Sequence, residues 1–148
     1  MLAAVPLMIV LRLFHILAGV LWVGSSFLFN VFIGPSAAEV GPSAGPLLSA
    51  MVKERKVTKV ISGLAMTTVA AGWLMWLRDL NQIGSLGDWL GTTWGVMLTI
   101  GGILATIAMF DGIYGVGHNV ERLVDLSDQI RAAGGPPSDE QLVQMGSI

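Results

Sequence analysis

Three runs of this chain, at about residues 7–33, 57–77 and 93–116, are nearly unbroken apolar sequence. A helix that crosses a bilayer needs roughly 20 mostly apolar residues, and each run is long enough. Backbone polar groups inside lipid must be satisfied within the segment, so each run is expected as a helix. The short alternating segments of a membrane β-barrel are absent from the sequence. The composition agrees: 53% hydrophobic and 12% charged residues, where soluble domains average about a quarter charged. The expected fold class is an all-α membrane protein, with three spanning helices in a bundle at residues 1–118. A cytoplasmic amphipathic helix and tail are expected at residues 119–148.

Composition also removes several functions. No cysteine is present, which excludes disulfides, thiolate ligation and thiol nucleophiles. A net charge of −2 implies no nucleic-acid partner. No P-loop, dinucleotide fingerprint, HExxH or serine-nucleophile motif occurs, so phosphoryl transfer and proteolysis have no basis. The amino-terminal run lacks a basic flank and is too long for a signal peptide, so it is expected as a retained helix.

Charge placement sets an orientation. Lys53, Arg55, Lys56 and Lys59 lie between the first two runs, and Arg122 and Arg131 follow the third. By the positive-inside rule these segments face the cytoplasm and the amino terminus faces outward. Trp73, Trp76, Trp89 and Trp94 then fall near the outer interface, where an aromatic belt is expected. The first helix is expected to stop at Gly34–Pro35. The segment after it repeats Gly-Pro-Ser-Ala at a seven-residue step and reads as a capped turn with a short helix. Beyond the third run, Val120, Leu123, Val124, Ser127 and Ile130 share one face of an amphipathic helix, suited to the inner membrane surface or a partner. The Gly-Gly-Pro-Pro from Gly134 breaks that helix, and Ser138 with Gln141 forms a capping-box signature for another.

Polar residues inside apolar helices mark candidate sites, because they are expensive there. Arg12, His15, Gly19, Trp22, Ser26 and Asn30 recur at steps of three and four, so they share one face. At 1.5 Å per residue His15 lies about 12 Å below the outer end of its helix, with Arg12 one turn above it. Trp73 and Met75 of the second run, and Thr93, Trp94 and Met97 of the third, fall in the same outer half. Deeper, Asn30, Lys59 and Asp111 are expected as a buried polar cluster. His118 belongs near the inner exit, roughly 20 Å or more from His15, so the two cannot clamp one iron. His15 reads as a haem or copper ligand, a proton donor or an interhelical hydrogen-bonding group, and Arg12 as a partner for a porphyrin propionate or a lipid headgroup. A set of Met8, His15, Met75 and Met97 would suit Cu(I), which favours thioether and imidazole ligands. Gly101, Ala105, Ala108 and Gly112, with Gly115 beyond them, form a seam of small residues for close helix packing, and Gly63, Thr67 and Ala70 offer another.

The first run also carries a motif. "FHILAGVLWVGSSFLFNVFIGP" has a histidine, a Trp-x-Gly and a closing Gly-Pro, here His15, Trp22 with Gly24, and Gly34 with Pro35. It resembles the opening helix of the CopD/HemJ-like superfamily of small bacterial four-helix integral membrane proteins. That group contains the copper-resistance CopD domain, HemJ-type protoporphyrinogen oxidases and uncharacterised members. The basic entry to the second run and the tail style "ERLVDLSDQIRAAGGPPSDEQL" are similar too. HemJ-type proteins carry a lysine and a histidine in the third span, whereas Asp111 is the one charge here, so the uncharacterised members are nearest. The resemblance implies a four-helix bundle, here with its last span missing, in the bacterial inner membrane. It also implies a haem, porphyrin or copper role for His15 near the outer leaflet.

The expected function is that of an integral membrane subunit or small binding protein, not an enzyme. A b-type haem at His15, with Arg12 and Trp22 as further cofactor-binding residues, is the expected cofactor, and none if His15 is purely structural. Partners would be the lipid bilayer and other membrane subunits, or a second copy through the Gly101/Ala105/Ala108/Gly112 seam. The alternatives are a haem- or porphyrin-dependent oxidoreductase of HemJ type, and CopD-like copper handling.

Overall fold

A computed structural model of the chain describes residues 4–134 and 138–147, and among the described residues the regular structure is entirely helical. Three continuous helical stretches are long and apolar enough to cross a membrane: Pro6–Val40, Val57–Ile83 and Thr93–Ala133. Their large side chains stay on the surface: Leu13, Phe14, Leu17, Val20 and Val23 are each more than half exposed. Such a surface fits lipid as its environment, because water would penalise that much apolar area.

The helices are longer than expected, for identifiable reasons. α1 (Ala4–Leu28) widens into a π-helical turn at Phe29–Ile33 and resumes as α2 (Gly34–Val40). A proline lacks an N–H, and its ring collides with the carbonyl four residues back in a regular helix. Here the π turn opens the spiral before Pro35, with the Gly34 N–H bonding Phe29 O five residues back. The helix therefore continues through the Gly-Pro pair where a stop was expected. The stop comes at Gly41, whose φ of +65° suits a residue without Cβ. A 3₁₀ turn (Gly41–Ala44), α3 (Gly45–Ser49) and a π turn (Ala50–Glu54) lead to α4 (Val57–Ile83). α5 (Leu86–Leu90) lies in the expected loop. α6 (Thr93–Phe110) passes through a glycine-rich π segment, Asp111–Gly117, into α7 (His118–Ala133). The capping box at Ser138 and Gln141 forms and opens α8 (Asp139–Gly146). Gly134 caps α7 in the left-handed conformation, and the rest of the Gly-Gly-Pro-Pro lies outside the described residues.

Packing divides the chain into two compact units, Met1–Gly24 with Ser62–Phe110, and Ser25–Ile61 with Asp111–Ile148. In the first unit α1 approaches α4 through small residues. Ala18, Ala65 and Ala71 are buried, and a Cβ on Gly19 would lie 3.3 Å from Thr68. The close-approach stripe on α4 is thus Ala65, Thr68 and Gly72, displaced from the Gly63/Thr67/Ala70 row. On α6, Gly102 meets Trp73, while Gly101 and Gly112 of the expected seam have nothing within 4 Å of a built Cβ.

In the second unit α7 buries Val124 and Leu126, with Val120, Leu123, Ser127 and Ile130 half-covered. Its polar face is tied to the segment before α4. Lys53 Nζ bridges Asp125 and Asp128 at 2.7 Å each, and Asp128 also accepts from Ser49 Oγ at 2.7 Å and pairs with Arg131. Thr58 Oγ1 donates to Glu121 at 2.7 Å. These contacts raise the Lys53 pKa through its hydrogen bonds to Asp125 and Asp128. They lower that of Asp128 through its bonds to Lys53 and Ser49. The amphipathic helix is therefore tied to its own chain.

Candidate functional site

The first unit contains a cleft of about 520 Å³ between α1, α4 and α6. Its position follows from the α1–α4 approach. Where small residues bring the two backbones together, α4 cannot also accommodate an imidazole unless one of its positions is glycine. That position is Gly72, where a Cβ would stand 3.1 Å from His15 Cε1 and 3.2 Å from Nδ1.

The His15 ring is held by one hydrogen bond. Nδ1 lies 2.8 Å from the Thr68 carbonyl oxygen. A carbonyl can only accept, so Nδ1 carries the proton. In the neutral ring Nε2 is then the lone-pair nitrogen, and a histidine fixed in this way is oriented as metal ligands are. Thr68 reaches this role by packing: it is buried, and its hydroxyl is already committed to Leu64 O at 2.9 Å.

Above His15 the cleft wall carries Arg12, one turn away on α1, and Met75 and Asp79 on α4. Met8 also lines it, while Trp94 and Leu98 contribute from α6. The structure therefore brings His15, Arg12, Met8 and Met75 together, along with Trp73 and Trp94 of the expected outer half. It leaves out Thr93 of that layer and two expected site residues. Trp22 lies two turns below His15 on α1 and does not line the cleft. Met97 is 64% exposed, because it lies off the Trp94/Leu98/Gly102 stripe that α6 turns toward the cleft.

One wall of the cleft is a ladder of indoles. Trp73 and Trp76 meet edge to face with centroids 5.3 Å apart, and Trp76 meets Trp89 at 6.0 Å. Each indole N–H is satisfied by a threonine of α6. Trp73 donates to Thr106 at 2.9 Å, while Trp76 and Trp89 share Thr99 Oγ1 at 2.8 and 3.0 Å. Both threonines in turn donate to carbonyls one turn back, Thr99 to Gly95 and Thr106 to Gly102, at 2.7 Å. Three of the four expected belt residues are thus interlocked, and Trp89 is only 2% exposed, whereas Trp94 is 67% exposed. A belt and a ladder look alike in sequence because both need tryptophans near a helix end.

Asp79 lines the cleft, as do Ile16, Gly72, Leu98 and Gly102, and the sequence reading singled out none of them; for Asp79 the helical spacing from Gly72 and Met75 was the available signal. The expected buried cluster of Asn30, Lys59 and Asp111 does not form: all three are exposed. Asn30 Nδ2 instead donates to Ser26 O of its own helix at 2.8 Å. Among the described residues no group of three histidine or carboxylate side chains converges as a metal site. Metal binding at His15 would therefore need thioethers or a ligand that brings its own donors.

Comparison with family models, with curated proteins and with solved structures finds no match.

Proposed function

We propose that the chain is a small integral membrane binding protein, working within a larger membrane assembly, whose cleft holds a b-type haem through Nε2 of His15. The observation that carries this reading is the Nδ1–H hydrogen bond to the Thr68 carbonyl, which fixes the tautomer and leaves Nε2 as the ligand nitrogen. Cleft size supports it. About 520 Å³ is in the range of sites for drug-sized ligands, roughly 300–1,000 Å³, and far above the space one ion needs. Arg12 would neutralise a propionate, and Trp73, Trp76 and Leu98 would exclude water. Bound haem would supply a one-electron iron couple, with the apolar walls setting its dielectric surroundings.

The orientation that fits is an outward amino terminus, a cytoplasmic basic segment around Lys53–Lys59 and a cleft in the outer half of a bacterial inner membrane. The open small-residue faces at Gly101 and Gly112 suit a helix from another subunit or copy, completing a bundle.

A second reading is favoured by Met8 and Met75 lining the same cleft as His15, since two thioethers and an imidazole suit Cu(I). One experiment separates the two readings: a reduced-minus-oxidised visible spectrum of the protein purified in mild detergent, with metal analysis of the same sample. The haem reading expects a Soret band near one haem per chain, lost in His15→Ala and kept in His118→Ala. Copper without a Soret band, diminished by Met75→Leu, would support the second reading. A colourless, metal-free protein would overturn both.

A further inference from the structure

A second cavity in the same unit shares no lining residue with the haem cleft. It is a shallow groove of about 470 Å³ along α1 and α4. Its walls are Leu7, Leu11, Leu74 and Leu77, and its rim is Arg78, Asn81 and Gln82. Leu7, Leu74 and Leu77 are each roughly half exposed. Apolar walls beneath one cation and two amides form an amphipathic profile: a slot for a hydrocarbon chain topped by hydrogen-bond donors.

We propose that this groove is a binding site for a single phospholipid, with one acyl chain along the leucines and the phosphate on Arg78. Charge complementarity selects this occupant. Among the described residues the ion-pair contact of Arg78 is with Asp79, at 3.7 Å. That distance exceeds a hydrogen bond, so the planar guanidinium keeps its donors for a phosphate, which it binds in bidentate fashion. The Asn81 and Gln82 side-chain amides add neutral donors for the remaining phosphate and ester oxygens. A second copy of this chain would set its apolar side chains against four leucines but would leave the rim donors without an anion. A soluble anion would satisfy the rim and leave the leucines empty. A phospholipid satisfies both.

The test is native mass spectrometry of the full chain in mild detergent micelles, with added palmitoyl-oleoyl phosphatidylglycerol as the probe. The expected result is a retained one-to-one lipid adduct. Arg78→Gln should weaken it about tenfold, the size associated with loss of a charged hydrogen-bond partner. Arg78→Lys should fall between, because an ammonium cannot bind in bidentate fashion. Leu74→Trp, which fills the groove and spares Arg78, should also reduce retention. Equal retention by wild type and Arg78→Gln would overturn the proposal. So would full displacement of the lipid by glycerol 3-phosphate or inorganic phosphate, which would identify a soluble-anion site instead. Neither readout depends on the occupancy of the His15 cleft.

Discussion

Thr99 accepts two indole N–H groups through one hydroxyl oxygen, and this makes Thr99→Val a quantitative test of the tryptophan ladder. Valine keeps the shape and removes the acceptor, leaving the Trp76 and Trp89 donors unpaired. The lost Thr99 donation to Gly95 O matters less, because that carbonyl keeps its place in the helical ladder. An unsatisfied buried donor costs about 1–3 kcal/mol. Hydrogen bonds within membrane proteins average nearer ~0.6 kcal/mol and reach ~1.7, since the unfolded chain in lipid also finds partners. Two orphaned donors therefore predict a loss of about 1–3 kcal/mol for Thr99→Val. Thr106→Val orphans only Trp73 and should cost about half as much. The assay is denaturant-driven unfolding in mixed micelles followed by circular dichroism, with both variants measured alongside wild type. Using the ratio cancels detergent effects common to both. If Thr99→Val is no more destabilising than Thr106→Val, the shared-acceptor geometry is wrong.

Other consequences are equally direct. Gly72→Ala should displace the His15 ring by a few tenths of an ångström and weaken the Nδ1–Thr68 bond; ¹⁵N NMR of the imidazole would show mixed tautomers where wild type shows Nδ1–H alone. Gly95→Ala would set a Cβ 2.1 Å from Trp89 O. It should therefore destabilise the α5–α6 corner and expose Trp89 to collisional quenchers, and wild-type quenching would count against the packing described. The α7 attachment should depend on pH and salt. Asp128 has a lowered pKa, so its contribution is present above the usual carboxylate value and disappears as pH falls through the folded one. Lys53 has a raised pKa, so its contribution holds below the usual lysine value and is lost as pH rises through the folded one. Hydrogen-exchange protection in α7, taken relative to the intrinsic rate at each pH, should be greatest between those limits and should fall in high salt, because the pairs are solvent-exposed.

What could be read from residue order follows the physics of each feature. The spanning helices, the amphipathic face of α7 and the Ser138 capping box depend on local periodicity, and local periodicity is visible in sequence. The grouping of Arg12, His15 and Met75 in one layer came from helical rise alone. The partner of His15 was not legible, because it is a backbone carbonyl and every residue has one. Asn30 misled for a related reason: a side chain that bonds to its own helix looks the same in sequence as one that bonds to a neighbour. The Gly34–Pro35 pair misled because a π turn can absorb a proline that a regular α-helix cannot. Inserting such a turn also rotates all later side chains relative to a 3.6-residue period, so a face followed from Arg12 does not continue past Phe29.

The ladder of Trp73, Trp76 and Trp89 also gives the molecule an optical property. Trp73 and Trp76 form part of the cleft wall, and Trp89 is stacked against Trp76. A majority of the chain's five tryptophans therefore emit from beside the cleft. Any chromophore entering it would sit within a few ångströms of these donors and drain their excited state. Occupancy could then be followed in real time from ultraviolet emission alone, in native membranes and without a label.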